Sequence, residues 1–173
     1  MRQSTRFFVA AALALAGCVG AQQSRPSPAG TADVTLKGQT ISIQYSRPSM
    51  RGRKIMGELV PYGQVWRTGA NEATQLSTPV DLTIGGANVP AGLYTLYTLV
   101  GEHAWKLIIN RETGQSGTEY HANQDLVRVD MKLGKTSAPV EQFTISWNKT
   151  GDSAADLIFE WETTRVSVPV KAK

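Results

Sequence analysis

One short basic stretch of the chain could bind an anion. RPSMRGRK, residues 47–54, holds four cationic side chains within eight positions. A guanidinium group donates paired hydrogen bonds to carboxylates, phosphates and sulfates. The candidate ligand-binding cations are Arg47, Arg51, Arg53 and, slightly later in the chain, Arg67. The alternative is a solvated loop whose arginines pair with Glu58 and Glu72, because charge clusters are mostly surface features.

A second stretch, WRTGANE at residues 66–72, combines an aromatic ring with polar groups. Trp66 could stack on a ligand ring, and Asn71 and Glu72 could hydrogen-bond to ligand hydroxyls. The structural alternative places Trp66 in the core and leaves a simple turn after it, since tryptophan is more often packed than presented. We therefore add Trp66, Asn71 and Glu72 to the candidate ligand-binding residues, with both interpretations open.

Motifs for catalysis or metal binding are weak. Glu58 and Glu72 could form the carboxylate pair of a glycoside hydrolase, but that chemistry depends on their separation. His103 and His121 each occur in a polar turn, and the sequence has no HExxH-type spacing. GQSG, residues 114–117, is one residue short of the G-x-S-x-G nucleophile motif. We therefore predict no metal and no cofactor, and we assign no catalytic residue.

The pattern of apolar residues predicts that β-strands position these candidates. Alternation with a period of two is clearest in ISIQY, LVRVDMKL, FTISW, LIFEWE and VSVPV, which begin at residues 41, 126, 143, 157 and 166. GLYTLYTLV, residues 92–100, is apolar in both phases and predicts a central strand covered on both faces. WKLIINR follows it as a hairpin partner, and VDLTI with Gly85 and Gly86 predicts another hairpin.

The fold class follows from these strands. Eight or more short strands are expected, and the only helical candidate is RKIMGELV, residues 53–60. We predict an all-β protein, an antiparallel two-sheet sandwich or jelly-roll-like domain with at most one short helix. Residues 47–74 interrupt the strand pattern, and connections beyond about 12–15 residues are usually functional or disordered. Their apolar side chains argue against disorder, so we predict an ordered irregular segment, which we call the excursion.

The N-terminus has the pattern of a signal peptide. Residues 1–17 begin with Arg2 and Arg6 and continue through the apolar run FFVAAALALA. Ten apolar residues are too few to cross a bilayer as a helix, which needs about 20. LAGC, ending at Cys18, resembles the lipobox of bacterial lipoproteins. That resemblance implies cleavage before Cys18 and its lipidation, which would anchor the protein to a membrane.

The predicted mature chain has a tether and one domain. Residues 18–30 are rich in Pro, Ser and Gln and predict a flexible tether, and residues 31–173 predict a single domain. Cleavage leaves 16 basic and 14 acidic residues, a net charge of +2, which gives no support for nucleic-acid binding. Val19 is not aspartate, and the resemblance to sorted lipoproteins implies the outer membrane, facing the periplasm, in a host with two membranes.

A longer resemblance covers the folded part. YSRPSMRGRKIMGELVPYGQVWRTGANEAT, VPAGLYTLYTL, WKLIINRETGQSGTEY and VEQFTISW together resemble a bacterial secreted family, Domain of Unknown Function 2911. The resemblance spans residues 32–170 and departs from the family pattern at Ser116, where an aromatic residue is expected. It implies one intact domain, and the family name implies no activity.

These observations predict a lipid-anchored envelope protein of unknown molecular activity. The leading hypothesis is a non-catalytic binding or interaction module that uses the excursion. Its ligand would be anionic or polar, such as a glycan, a peptide or another envelope protein. Two alternatives stay open: a hydrolase of cell-wall or glycan material with Glu58 and Glu72, and a purely structural envelope component.

Overall fold

The computed structural model describes residues 27–173. The predicted signal peptide, the lipidation site Cys18 and most of the tether lie outside the described residues. The first strand begins at Ala29, so the last two residues of the predicted tether already belong to the folded domain. Between residues 27 and 173, no helix is long and apolar enough to cross a membrane.

The described part of the chain is built almost entirely from β-strands, which confirms the predicted all-β class. The strands are β1 Ala29–Leu36, β2 Gln39–Ser46, β3 Gln64–Trp66, β4 Thr74–Thr78, β5 Leu82–Ile84, β6 Ala87–Val89, β7 Gly92–Val100, β8 Trp105–Asn110, β9 Asp125–Lys149 and β10 Ala154–Ala172. A single 3₁₀ turn, Ala122–Gln124, precedes β9.

The strands pair antiparallel in the order β1-β2-β4-β7-β8-β9-β10-β5-β6, and β3 pairs with β7 off this path. The long strand β9 carries the chain from one layer of the sandwich to the other. Its first part pairs with β8, with Met131 opposite Trp105, and its last part pairs with β10, with Ile145 opposite Phe159. The predicted central strand β7 has β4 and β3 along one edge and β8 along the other.

The core lies where β2 and β9 face each other. The Tyr45 ring meets the Phe143 ring edge-on, with centroids 5.8 Å apart. The Tyr45 hydroxyl accepts a 3.0 Å hydrogen bond from the backbone N–H of Ile145. On β1, which neighbours β2, the Ala32 carbonyl accepts a 3.2 Å hydrogen bond from Trp147 Nε1 of β9. These contacts join the layers through apolar packing, and the Tyr45 hydroxyl and the Trp147 indole N–H each have a hydrogen-bond partner.

The prediction of a short helix at residues 53–60 is wrong. This segment forms consecutive turns, in which Gly57 N–H donates to the Val60 carbonyl and Val60 N–H donates to the Ile55 carbonyl, both at 2.9 Å. Gly57 has φ +85°, a left-handed conformation that ends any α-helix. Ile55, Met56 and Val60 are nevertheless buried, so the turns pack firmly against the core.

The excursion is ordered, as predicted, but it is not wholly irregular. Its residues Gln64–Trp66 form β3, which pairs with β7 so that Trp66 lies opposite Thr98. Three residues are too few to show an alternating pattern, and this strand depends on the neighbouring edge of β7. The excursion ends at Thr74, where β4 begins and pairs along the same edge of β7 as β3.

Candidate functional site

A cavity of about 490 Å³ lies between the excursion and the segment after β8. This volume is within the range of roughly 300–1,000 Å³ typical of small-molecule sites. Its described lining residues are Ser27, Pro48, Arg53, Leu59, Val60, Val65, Trp66, Arg67, Gly69, Ala70, Tyr97, Gly117, Thr118, Tyr120 and Trp161. Four of these residues are aromatic, two are arginines, and none of those described is acidic.

Trp66 has both a structural contact and a free side. Its ring stacks on Trp161 with centroids 5.7 Å apart and an interplanar angle of 19°. It also meets the Phe143 ring edge-on at 4.9 Å. Trp66 is only half-buried, and its remaining surface faces the cavity. The ring therefore fixes the excursion to the core and also forms part of the cavity wall.

Arg53 and Arg67 bring positive charge to the same wall. Arg53 donates from Nε to the Met50 carbonyl at 2.9 Å and from Nη2 to the Ser49 carbonyl at 2.8 Å. Arg67 donates from Nε to the Gly69 carbonyl at 3.3 Å. Neither side chain forms a salt bridge with a residue between 27 and 173. Backbone dipoles orient both guanidinium groups while leaving their net charge unneutralised, which favours an anion in the cavity.

Three other candidate residues do not line the cavity. Arg47 donates from Nη2 to Thr144 Oγ1 at 3.1 Å and ties the end of β2 to β9. Arg51 is exposed, and its backbone N–H donates to Glu141 Oε1 at 2.9 Å. Asn71 donates from Nδ2 to the Ser27 carbonyl at 3.1 Å and to Ser46 Oγ at 3.2 Å. These residues position the excursion and the N-terminal segment.

The two candidate carboxylates do not face the cavity together. Glu58 is exposed and lies 3.6 Å from Lys54, one turn earlier in the excursion. Glu72 is also exposed, and it lines a different cavity of about 340 Å³ beside Gln44 and Gln75. Neither carboxylate lines the 490 Å³ cavity, so the geometry gives no acid–base pair there.

The opposite wall is formed by residues 111–121, which we call the cover loop. It lies over the face of β7 that points away from the core, where Tyr97 is 1% exposed. The Tyr97 hydroxyl donates to the Glu119 carbonyl, and Gln115 Nε2 donates to the Tyr97 hydroxyl at 3.1 Å. Burial raises the pKa of Tyr97, so this hydroxyl stays protonated and keeps both bonds at neutral pH. The coverage of β7 on both faces, predicted from its sequence, is confirmed.

Tyr120 is held against Tyr97 by two charged residues. The rings meet edge-on with centroids 4.9 Å apart. The Tyr120 hydroxyl donates to Asp125 Oδ2 at 2.7 Å and accepts from Arg128 Nη2 at 2.7 Å. Arg128 Nε also donates to the same carboxylate oxygen at 2.8 Å. Burial and the bond to Asp125 raise the pKa of Tyr120 to about 12, so its hydroxyl remains a donor.

The cover loop meets the excursion at a tight seam. A Cβ added at the buried Gly117 would lie 2.8 Å from the Asn71 carbonyl oxygen and 3.1 Å from Arg67 Cδ. The neighbouring residue Ser116 forms an isolated antiparallel bridge with Glu72. The absence of a side chain at Gly117 therefore permits the close approach that joins the two walls.

Histidines lie on the surface, away from any metal-binding arrangement. His121 Nδ1 lies 2.7 Å from Glu112 Oε2 within the cover loop, and this hydrogen bond raises the His121 pKa. His103 Nε2 lies 3.9 Å from Glu102 Oε2. In the part of the chain that the structure describes, no three His, Cys, Asp or Glu side chains converge on one point.

Sequence reasoning identified the excursion wall and missed the rest of the site. Arg53, Trp66 and Arg67 were candidates and line the cavity together. The missed residues that line it include Tyr97, Gly117, Tyr120 and Trp161. Tyr97 had one available signal, because the two-phase pattern of GLYTLYTLV required some cover for its outer face.

A cavity between a long excursion and a cover loop, on a β-sandwich, defines this domain. The chain matches the family described as Protein of unknown function (DUF2911) over residues 27–170, and it belongs to that family. This confirms the resemblance seen in the sequence. Searches of curated proteins and of solved structures gave no match.

Proposed function

We propose that the domain is a non-catalytic binding module whose ligand occupies the cavity between the excursion and the cover loop. The observation that carries this proposal is that Arg53 and Arg67, which form no salt bridge within residues 27–173, share one wall with the half-buried Trp66. Cations attract an anionic group, and an aromatic ring offers apolar surface to the rest of a ligand.

The position of Trp66 at the edge of an open cavity supports a binding role over a purely structural one. A structural plug would bury Trp66 completely and leave no space beside it. Here Trp66 is fixed by two aromatic neighbours on one side and borders a cavity of about 490 Å³ on the other. A site whose walls are already fixed loses little conformational entropy when a ligand binds.

A hydrolase with Glu58 and Glu72 has less support. Glycoside hydrolysis needs two carboxylates on opposite sides of one bond, roughly 5–9.5 Å apart. Glu58 lies beside Lys54 on the surface, and Glu72 borders a different cavity. The geometry of the described residues therefore favours binding without catalysis.

The lipid anchor is the second part of the proposal. LAGC ends at Cys18, and Ser27 lies at the cavity lining, nine residues later. At about 3.3–3.6 Å per extended residue, the cavity would lie within roughly 30 Å of the acylated cysteine. The ligand would then be bound near the membrane surface, which in a host with two membranes is the periplasmic face of the outer membrane.

The anchor is tested by labelling cells with a clickable palmitate and separating membranes from soluble material. The wild-type chain should carry label and sediment with the membranes, and Cys18→Ala should lose both properties. A labelled Cys18→Ala chain, or an unlabelled wild-type chain, would rule out lipidation at this residue.

The binding role is tested with the processed chain, which begins at Cys18 after removal of the signal peptide. It is titrated with a panel of organic acids, peptides and glycans, and affinity is measured by calorimetry. A hit should lose at least about tenfold in affinity in the Arg53→Ala, Arg67→Ala double variant, which corresponds to about 1.4 kcal/mol. The charge-matched control, Lys132→Ala with Lys171→Ala, changes two exposed cations that do not line the cavity. Unchanged affinity in the arginine variant, with circular dichroism showing a folded domain, would refute the proposal, and so would a panel without any hit.

A further inference from the structure

From the chemistry of its walls, we infer that the cavity takes a small amphipathic carboxylate: one carboxylate group attached to an apolar or aromatic body. This inference rests on the proposed function, because it names the ligand class for the same cavity.

The side chains of the cavity offer donors and few acceptors. Arg53 and Arg67 can only donate hydrogen bonds. Among the described lining residues there is no Asp, Glu, Asn or Gln side chain. A sugar hydroxyl needs an acceptor as well as a donor, and leaving such a group unpaired costs about 1–3 kcal/mol. A neutral glycan is therefore a poor match for this wall.

The hydroxyl groups on the wall formed by β7 and the cover loop are already engaged, and that of Thr118 lies 3.0 Å from Ser116 Oγ. The Tyr97 hydroxyl donates to the Glu119 carbonyl and accepts from Gln115. The Tyr120 hydroxyl is bonded to Asp125 and Arg128. Tyr120 consequently presents ring surface to the cavity, Tyr97 lies buried against it, and the polar atoms of both hold the cover loop.

Apart from the side chains of Ser27 and Thr118, the remaining lining is apolar. Leu59 is 45% exposed at the cavity, and Val60, Val65 and Ala70 lie beside it on the excursion. An apolar ligand body that covers Leu59 and the free side of Trp66 would remove this surface from water, which contributes about 25 cal/mol per Å².

The arginines favour an anionic head group that accepts paired hydrogen bonds. Arg53 uses Nε and Nη2 for backbone carbonyls, and Arg67 uses Nε in the same way. The N–H groups that remain suit the planar carboxylate, which accepts paired bonds.

Two sources could supply such a ligand: a free fatty acid, or the C-terminus of an apolar peptide. The processed wild-type chain is titrated with decanoate and decanamide, and with an acetylated leucyl-phenylalanine dipeptide in its acid and amide forms. Maltotriose and trigalacturonate serve as neutral and acidic sugars. Binding is followed by calorimetry and by tryptophan fluorescence, since Trp66 and Trp161 border the cavity.

At least one acid should bind, and its amide should bind at least tenfold more weakly. The Arg53→Ala, Arg67→Ala variant should lose this preference for the acid. The acid that binds more tightly identifies the source. The comparison of acid with amide uses the wild-type chain, so it holds even if the variant does not fold.

Equal affinity for acid and amide, or tighter binding of either sugar than of both acids, would overturn the ligand class and leave the proposed function standing. If both acids fail to bind while another compound of the wider panel binds through Arg53 and Arg67, only the ligand class is wrong. If nothing in either set binds, both proposals are wrong.

Discussion

The two walls of the cavity are held in place by different forces. The excursion is fixed by apolar packing, with Ile55, Met56 and Val60 buried and Trp66 stacked on Trp161. The cover loop has no buried side chain larger than hydrogen between residues 111 and 121. It is held by hydrogen bonds around Tyr97 and Tyr120 and by the pair formed by His121 and Glu112.

Because of this difference, the two walls should respond differently to mutation and to pH. Apolar packing depends little on pH and loses free energy in proportion to the side-chain volume removed. A polar network depends on the protonation of its members and on the geometry of a few bonds. The excursion should therefore act as the rigid wall, and the cover loop as the wall that responds to pH and small changes in sequence.

Trp66→Ala tests the packing of the excursion and has the largest expected effect. Removing a large aromatic side chain from its ring contacts with Phe143 and Trp161 should lower the free energy of unfolding by about 3 kcal/mol. Leu59→Ala is the matched control, because this side chain is 45% exposed, and it should cost less than about 1 kcal/mol. Urea denaturation at pH 5.5 and 8.5 should give the same loss at both values. Equal costs for the two variants would mean that Trp66 does not fasten the excursion.

Gly117→Ala tests the seam between the walls. Its Cβ would meet the Asn71 carbonyl oxygen at 2.8 Å, so the cover loop must move away from the excursion. We expect a loss of about 1–3 kcal/mol in the free energy of unfolding. The control is Gly151→Ala, where an added Cβ meets no atom within 4 Å. A variant as stable as this control would show that the seam is not closely packed.

Tyr120→Phe tests the polar network of the cover loop. It removes the hydroxyl that bonds to Asp125 and Arg128 but keeps the ring against Tyr97. The expected loss in the free energy of unfolding is about 1–2 kcal/mol, because the hydroxyl bonds to two charged residues, Asp125 and Arg128. Tyr62→Phe, at an exposed tyrosine of the excursion, should have almost no effect in the same denaturation experiment. Identical results for both variants would contradict the role given to the network.

The pair formed by His121 and Glu112 has the smallest expected effect and depends on pH. The hydrogen bond to Glu112, followed by the charges of Glu112 and Glu119, raises the His121 pKa above its usual value of 6.5. A group with a raised folded-state pKa contributes its full stability below pH 6.5 and loses it as pH rises through the folded value. His121→Gln should therefore lower the melting temperature at pH 5.5 and leave it unchanged at pH 9.

His103→Gln is the control for that measurement, because its side chain is 90% exposed and lies away from the cover loop. It should shift the melting temperature equally little at both pH values. A His121 variant whose effect grows as the pH rises would reverse the predicted sign and refute the account of this pair.

Much of the fold was predictable because each buried strand face leaves a period of two in the sequence. Val129 and Met131 in β9, and Val166 and Val168 in β10, alternate with polar residues as their burial requires. Two local features were not predictable in this way. β3 is too short to alternate, and the turns at Gly57 look helical until the sign of its φ is known.

The site was predictable on one side only. The arginines and Trp66 of the excursion are conspicuous in composition, and they line the cavity together. Tyr120 packs on Tyr97 of β7 and bonds to Asp125, which lies opposite Asn110 of β8. These contacts depend on the register of β8 with β7 and β9, which cannot be read from a local sequence pattern. Gly117 matters because of a backbone oxygen on a segment distant in sequence.

The central claim is that the excursion and the cover loop form one binding site. Hydrogen–deuterium exchange of the processed chain tests it most directly, with and without a saturating concentration of whichever acid, decanoate or the dipeptide, binds more tightly. The account predicts slower exchange in both residues 63–70 and residues 115–121. Protection of neither segment, or protection confined to the separate cavity beside Tyr62 and Lys135, would contradict it.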